Sequence, residues 1–181
     1  MELEALRMVC LVGCSATAEM LLHHACKVRS DRHIAVLGPP ATEPVGPCDS
    51  DLTERIDGAV ELAAEHGWEL DMVILDASWC SADVQRACCP SDVFEHHSMA
   101  MATELVVLFN TSDDVISHPK KTHSDISTYM RCADRIVVSG ASALDDAQLT
   151  EILAAIHGIN PEAFVVMAED RDAALGLPYE N

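Results

Sequence analysis

The chain has 181 residues and a mass of 19.6 kDa, which fits a single domain with one hydrophobic core. Hydrophobic residues make up 49% and charged residues 23%, a balance typical of a globular protein and not of a disordered chain. The 30 Asp and Glu residues against 11 Lys and Arg residues give a formal net charge of -19, which predicts that the protein binds neither nucleic acid nor a membrane surface.

Six short apolar runs, mostly rich in β-branched residues, alternate with helical patterns along the chain. Such runs predict buried strands, and their alternation with helices predicts that the strands are parallel. The six predicted strands are Met8–Val12, Ile34–Leu37, Met72–Leu75, Leu105–Phe109, Ile136–Val138 and Phe164–Met167. All are much shorter than the roughly 20 apolar residues that span a bilayer.

Two of the intervening helices carry start and stop signals. The start signals are an acidic N-cap with Glu or Gln three residues later, and the stop signals are Gly, Asn and Pro. The predicted starts are Asp51 with Glu54 and Asp145 with Gln148, and the predicted stops are Gly67, Gly158 and Asn160-Pro161. The resulting βαβ pattern predicts a doubly wound α/β fold with ligands at the carboxyl ends of the strands.

The first strand ends in Gly13 and is followed by the frame of a phosphate-binding loop. A working loop of the form G-x-x-x-x-G-K-[ST] needs a second glycine, a lysine for the phosphates and a hydroxyl for Mg²⁺. Ala18, Glu19 and Met20 occupy those three positions. Since a carboxylate repels a polyphosphate, tight binding of a Mg-nucleotide is not expected. The vestigial phosphate site would comprise Gly13, Cys14, Ser15, Ala18, Glu19, Met20 and Asp76.

Five segments in the same order resemble the CobW-like P-loop GTPases, which are metallochaperones of the same broad group as the nickel-enzyme maturation GTPases. The resembling segments are Met8–Leu22, Arg32–Leu37, Asp71–Ser78, Ala133–Val138 and Gly158–Ala163. The resemblance implies a three-layer P-loop NTPase-like domain with a mostly parallel central sheet. It also implies that Asp76 stands at the position of the metal-associated acid.

Two motifs of that family are altered here. Ser139–Ser142 stand where the family has the guanine-reading Asn-Lys-x-Asp, so the carboxylate that would recognise guanine is missing. Gly46–Ser50 retain only Cys48 of the family's Gly-Cys-x-Cys-Cys metal motif. The chain also ends soon after the sixth strand, so we expect a nucleotide-binding-type domain over residues 1–168, no smaller C-terminal domain, and a polar tail or short final helix over 169–181. GTP and Mg²⁺ are predicted not to bind.

Thiols and imidazoles outside these motifs are candidate ligands for zinc or cobalt. The densest group is Cys80, Cys88, Cys89, His96 and His97. Thiolates and imidazoles suit zinc, but adjacent residues on a helix diverge by about 100°, so all five cannot converge from one helix. Packing of the cysteines and solvation of the histidines is the favoured alternative.

A second group could form in space around the first strand and helix. It consists of Cys10, Cys14, His23, His24 and Cys26. Packing and exposure are again favoured over metal binding. The N-terminus is acidic, unlike a signal peptide, so we predict a cytoplasmic protein whose eight cysteines are reduced.

The sequence thus predicts a degenerate, non-catalytic CobW-like G-domain protein that acts in metal homeostasis or as a protein-binding module. Its expected partners are a metal ion and a client protein. No catalytic residue is predicted, because Ser15, Ser78 and Asp76 lack a positioned base and a nucleophile elbow.

Two alternatives remain open. One is an active GTP-dependent metallochaperone for zinc or cobalt that contacts phosphate through the backbone N–H groups of Cys14 to Glu19. The other is an acidic structural protein that docks a basic partner, and the same acidity would also suit a high-salt cytoplasm.

Overall fold

Six parallel strands form one central sheet in the computed structural model, which describes residues 6–28, 33–38, 49–77, 101–112 and 124–177. The order across the sheet is β2-β3-β1-β4-β5-β6. The strands are β1 (Leu6–Gly13), β2 (Ile34–Leu37), β3 (Met72–Asp76), β4 (Met101–Asn110), β5 (Arg135–Ser139) and β6 (Phe164–Met167). The prediction of six strands in a parallel sheet is confirmed.

Helices cover both faces of the sheet. They are α1 (Ser15–Val28), α2 (Asp49–Glu65), α3 (Ser124–Cys132), α4 (Asp146–Ile159) and α5 (Arg171–Leu175), with a 3₁₀ turn at Ala141–Ala143. The three-layer α/β fold is therefore confirmed. Within the described ranges, every helix is too short or too polar to cross a membrane.

Alternation along β1 separates the core into two layers. Met8, Cys10 and Val12 face one side, where Ile56 of α2, Met130 of α3 and Ile156 of α4 complete a buried cluster. Val9 and Leu11 face the other side, against Leu21 of α1 and Leu175 of α5. This period of two is what places successive side chains on opposite faces of a strand.

β4 is longer than its apolar run predicts. It extends from Met101 to Asn110 because its first residues pair with the whole length of β1, from Leu6 opposite Met101 to Gly13 opposite Leu108. Backbone hydrogen bonds, rather than the hydrophobic pattern, set this boundary.

The helix signals are partly confirmed. Asp145 and Gln148 form a reciprocal capping box at the start of α4, as predicted. Gly67, with φ +71°, follows α2 in the left-handed region and ends it. The predicted start of α2 was wrong, because the helix begins at Asp49, two residues before Asp51. The predicted end of α4 is confirmed at Asn160, which is the C-cap, although the helix continues through Gly158 to Ile159.

The segment after residue 168 contains the short final helix, α5. Asp170 caps its start through the Ala173 N–H, and Gly176 in the left-handed conformation follows its end. Arg7 Nη1 donates to the Gly176 carbonyl oxygen at 2.6 Å. Ala174 and Leu175 are fully buried, so this helix belongs to the core.

A charged cluster beneath α5 joins three strands. Glu104 of β4 accepts from Arg7 of β1 and, at 2.8 Å, from Arg135 of β5. Burial lowers the pKa of Arg135, and the neighbouring Glu104 carboxylate opposes that shift. The guanidinium of Arg135 also lies 5.7 Å from the centre of the Phe164 ring.

Candidate functional site

The crevice at the carboxyl edge of the sheet is the candidate site. β1 lies between β3 and β4, and the chain passes from β3 on one side of β1 to β4 on the other. Ligands of doubly wound folds bind at such a switch in strand order. The residues at this edge are Gly13 at the end of β1, Cys14 directly after it, Asp76 on β3, Asn110 on β4 and Ser139 on β5.

The turn that joins β1 to α1 is very tight. Only Cys14 separates the last strand residue, Gly13, from the first helical residue, Ser15. Gly13 has φ +116°, and a Cβ placed on it would lie 2.3 Å from the Leu108 carbonyl oxygen. Cys14 N–H donates to that same oxygen at 3.0 Å. Glycine is therefore required here by close contact with β4 and by its positive φ.

Four residues of the predicted phosphate site, Ser15, Ala18, Glu19 and Met20, lie on α1. Ala18 N–H donates to the Cys14 carbonyl oxygen at 3.0 Å, and the Ala18 side chain is fully buried. Glu19 is exposed on the helix, and Met20 is half-buried. The segment is rich in good helix formers and lacks a second glycine that would favour an open loop, so burial of Ala18 and Leu21 stabilises the helical form.

The helix leaves few backbone donors for a ligand. The N–H groups of Cys14 and Ala18 already donate to main-chain oxygens, and that of Glu19 lies within the helix. The N–H groups of Ser15, Ala16 and Thr17 occupy the first turn, where a helix has no acceptors of its own. The turn therefore differs from an open G-x-x-x-x-G-K-[ST] loop, and the donors it offers are those at the amino end of α1.

A chain of hydroxyl groups crosses the crevice. Thr17 Oγ1 donates to Ser139 Oγ at 2.9 Å, and Ser139 Oγ donates to the Phe109 carbonyl oxygen at 3.2 Å. Thr17 is 4% exposed, so this contact is largely shielded from water. The sequence interpretation missed Thr17; the signal was a hydroxyl residue on the buried face of α1, one position before Ala18.

Residues 139–142, which the resemblance aligns with a guanine-reading motif, have their own local structure. Gly140 adopts a left-handed conformation, and a Cβ on it would lie 2.7 Å from Thr111 Oγ1. The 3₁₀ turn Ala141–Ala143 follows. The next carboxylate along the chain, Asp145, accepts from the Gln148 N–H at 2.8 Å and is therefore committed to capping α4.

Asp76 and Asn110 complete the described edge. Asp76 lies opposite Leu11 in the sheet, is half-buried and has an interaction partner. Asn110 Oδ1 accepts from the Ser112 N–H at 2.9 Å and from the Ser112 hydroxyl at 2.7 Å. Both side chains are thus engaged, and Ser78 lies outside the described residues.

The main metal candidates cannot be placed from this structure. Cys80, Cys88, Cys89, His96 and His97 lie outside the described residues, so their proposed ligation stays a prediction. Cys48 of the altered metal motif lies there too.

The second thiol and imidazole group is split by the sheet. Cys10 is buried on the face opposite α1, which carries His23, His24 and Cys26. His24 Nε2 lies 2.9 Å from Asp172 Oδ1, linking α1 to α5. Among the residues that the structure describes, no three His, Cys, Asp or Glu side chains are grouped to hold a metal ion.

Comparison with solved structures confirms the fold. Zn(II)-bound YjiA GTPase from E. coli superposes with a TM-score of 0.64 at 13% identity, covering 90% of this chain and 57% of YjiA. HypB from Helicobacter pylori, in complex with nickel, gives a TM-score of 0.52 at 16% identity over 94% of this chain and 83% of HypB. HypB from Archaeoglobus fulgidus, a hydrogenase maturation factor, gives 0.52 at 14% identity, over 90% of this chain and 78% of that one.

No protein-family profile and no curated protein sequence matches the chain. The chain spans a little over half the length of YjiA, 57%. The resemblance to a CobW-like G domain, drawn from the five sequence segments, is thus confirmed at the level of the fold.

Proposed function

We propose that this chain is a G-domain-fold protein that neither binds nor hydrolyses GTP and that acts by binding, in the handling of a metal ion together with a client protein. The observation that carries the proposal is the start of α1 at Ser15, directly after the one-residue turn at Cys14. A loop of the form G-x-x-x-x-G-K-[ST] surrounds the phosphates with backbone N–H groups and a lysine, whereas this one-residue turn offers the N–H groups at the amino end of α1 and has Glu19 in place of the lysine.

Two further features support the loss of nucleotide binding. The hydrogen bond between Thr17 and Ser139 joins the start of α1 directly to the end of β5. The exposed Glu19 and the net charge of -19 add repulsion of a triphosphate.

The metal component is supported by chemistry and by analogy. YjiA is solved with zinc and HypB with nickel, and both share this fold. The proposed ligands are drawn from Cys80, Cys88, Cys89, His96 and His97, whose thiolates and imidazoles suit zinc or cobalt. Thiolates must lose their protons to bind metal, so loading should release protons and weaken at acidic pH.

Calorimetric titration with GTP and Mg²⁺ tests the nucleotide half of the proposal, with YjiA as the positive control. We expect no saturable heat at GTP concentrations up to about 1 mM. Any binding free energy would then be less favourable than about -4 kcal/mol. Micromolar binding would contradict the proposal and would favour an active GTP-dependent metallochaperone.

Cobalt titration followed by absorption spectroscopy tests the metal half. We expect thiolate charge-transfer bands that disappear in a Cys88→Ser and Cys89→Ser double variant. The matched control is a Cys26→Ser and Cys132→Ser double variant, since both of these thiols are exposed and lie outside the proposed ligand set. Bands that survive the first double variant and disappear in the second would place the ligands elsewhere, and a protein without bands would remove the metal from the proposed function.

A further inference from the structure

A groove of about 760 Å³ runs between the edge strand β2 and α2. β2 is at the end of the sheet and is separated from β1 by β3, so the groove is distinct from the crevice described above. Its lining is mostly apolar and consists of His33, Ile34, Ala35, Val36, Leu37, Arg55, Gly58, Ala59, Leu62, Ala63, Trp68 and Leu70.

Two large apolar side chains in this groove are unusually exposed. Leu62 is 56% exposed and Trp68 is 51% exposed, although both line the same concave surface. Single exposed apolar residues are common, but a tryptophan and a leucine that share a groove are typical of a binding surface.

Trp68 is held in position by two imidazole rings. His33 stacks on it with ring centres 5.2 Å apart and planes 10° apart, and His66 contacts it at 4.9 Å. Each imidazole is itself fixed, because His33 Nδ1 donates to the Glu69 carbonyl oxygen at 3.2 Å and His66 Nδ1 to that of Leu62 at 2.8 Å. An aromatic anchor fixed in this way loses little conformational entropy when it binds.

β2 offers backbone groups along the same groove. Within the described part of the chain it pairs with β3 alone, through Ile34 to Leu37. The outer edge of such a strand presents N–H and C=O groups that can pair with an extended segment of another chain. Arg55, the cation among the lining residues, donates to the Gly38 carbonyl and so is already engaged.

Carboxylates line the rim. Glu54, Glu61 and Glu65 are exposed and lie on the same row of α2 as Gly58, which lines the groove. Residues spaced by three, four and seven share a helix face, so these acids border one side of the groove. The rim is negatively charged, like the protein as a whole with its net charge of -19, and its charge is therefore complementary to a basic partner.

We propose that this groove binds an extended basic segment of a partner protein, which pairs with the outer edge of β2, places apolar side chains against Trp68 and Leu62, and directs Lys or Arg toward the rim acids on α2. This proposal describes the client protein of the proposed function as one that carries an extended basic segment. It rests on the proposed function only in assuming that a client exists. The GTP and cobalt titrations concern other residues, so failure of one proposal is distinguishable from failure of the other.

The test is fluorescence anisotropy with a labelled heptapeptide, Lys-Ser-Val-Ser-Val-Ser-Lys, added to the full chain; in an extended strand its Val and Lys side chains point to the same face. We expect saturable binding that weakens as salt rises, because rim charges are screened. A peptide with Glu in place of Lys should not bind. A peptide with Pro in place of Val should bind at least about tenfold more weakly, because proline removes the N–H groups needed for strand pairing.

Variants of the protein separate the groove from general attraction to its negative charge. Trp68→Ala and Leu62→Asp should each weaken binding by about tenfold or more, since the first removes an aromatic anchor and the second places a carboxylate where apolar side chains dock. Glu61→Lys with Glu65→Lys should weaken it by about five- to tenfold. Glu151→Lys with Glu169→Lys, which changes the net charge equally on exposed sites elsewhere, should change it less than about twofold.

Thermal melts of each variant confirm folding, which exposed positions should preserve. Equal weakening by the two charge-reversal variants, or binding unaffected by Trp68→Ala and Leu62→Asp, would overturn the proposal by showing non-specific attraction. A wild-type chain that sediments as a dimer and becomes a monomer with Leu62→Asp would overturn it in favour of a second copy in the groove.

Discussion

Thr17 of α1 donates a hydrogen bond to Ser139 of β5, with 2.9 Å between the two hydroxyl oxygens. The first residue lies beside the β1–α1 turn, and the second opens the segment that stands at the guanine-reading position. By the family resemblance, the first segment would contact the phosphates of a nucleotide and the second its guanine base. Here they are tied directly to each other and to the Phe109 carbonyl of β4.

Removal of either hydroxyl should destabilise the fold through a shared interaction. Thr17→Val keeps the shape of a residue that is 4% exposed, and Ser139→Ala removes the acceptor. We expect each single variant to lower the free energy of unfolding by about 1 kcal/mol and the double-mutant cycle to give a coupling of about 0.5–1.5 kcal/mol. Urea unfolding measures both. A coupling near zero would mean that the two hydroxyls do not interact in solution.

Substitutions at the loop-motif positions should follow helical behaviour. Ala18→Gly would favour an open phosphate loop, but in a helix it should cost about 1–2 kcal/mol through lost propensity and a lost buried methyl. Glu19→Lys changes an exposed helical position and should alter stability by less than about 0.5 kcal/mol without creating GTP binding. Chemical denaturation and GTP titration of the two variants check this. An Ala18→Gly protein that gained stability would indicate a loop.

The fold was largely predictable from the sequence because its signals are local. Apolar runs such as Met72–Leu75 marked the buried strands, and Asp145 with Gln148 marked a helix start that the structure confirms. The extension of β4 to Met101 was missed because it depends on pairing with β1, a partner distant in sequence. The bounds of α3 were not predicted, because no capping signal was identified for it in the sequence.

The candidate site was less predictable than the fold. Motif spacing placed Ala18 in a loop, whereas the burial of its methyl group against the sheet favours a helix. The contact between Thr17 and Ser139 joins residues separated by 122 positions that belong to two different motifs. The sequence suggested that Cys10 and His24 could lie near each other in space, but the pleat of β1 directs Cys10 to the face opposite α1.

Among the polar residues that the structure describes, Asn160 should be the one whose replacement costs the most stability. Its Nδ2 donates to the carbonyl oxygens of Met130 and Ala133 at 2.9 Å each, and it is 8% exposed. Asn160→Asp replaces this double donor with a carboxylate facing two carbonyl oxygens and should cost about 2–4 kcal/mol in urea unfolding.

Asn110→Asp is the matched control for that substitution. The Asn110 amide oxygen accepts both of its hydrogen bonds from Ser112, and a carboxylate can accept them equally well. We expect a change below about 0.5 kcal/mol. Similar losses in the two variants would show that added charge, and not the lost donors of Asn160, causes the effect.

Added salt should stabilise the protein. The net charge of -19 implies repulsion among surface carboxylates, which opposes folding when the Debye length is about 30 Å at 0.01 M salt. The melting temperature should rise by a few degrees up to a few tenths molar NaCl and then level off. A midpoint that stays flat or falls would show that the acids are already paired, and a continued rise would point to salt exclusion.

Residue-resolved amide hydrogen exchange across the β1–α1 turn, with and without millimolar GTP and Mg²⁺, tests the central claim most directly. The Cys14 and Ala18 N–H groups donate to main-chain oxygens at 3.0 Å, so both should exchange slowly in the free protein and remain unchanged when nucleotide is added. The N–H groups of Ser15 to Thr17 should likewise exchange at the same rates with and without nucleotide. Fast exchange at Ala18 in the free protein that slows on addition of GTP would reveal an open loop closing on phosphate, and would contradict the account.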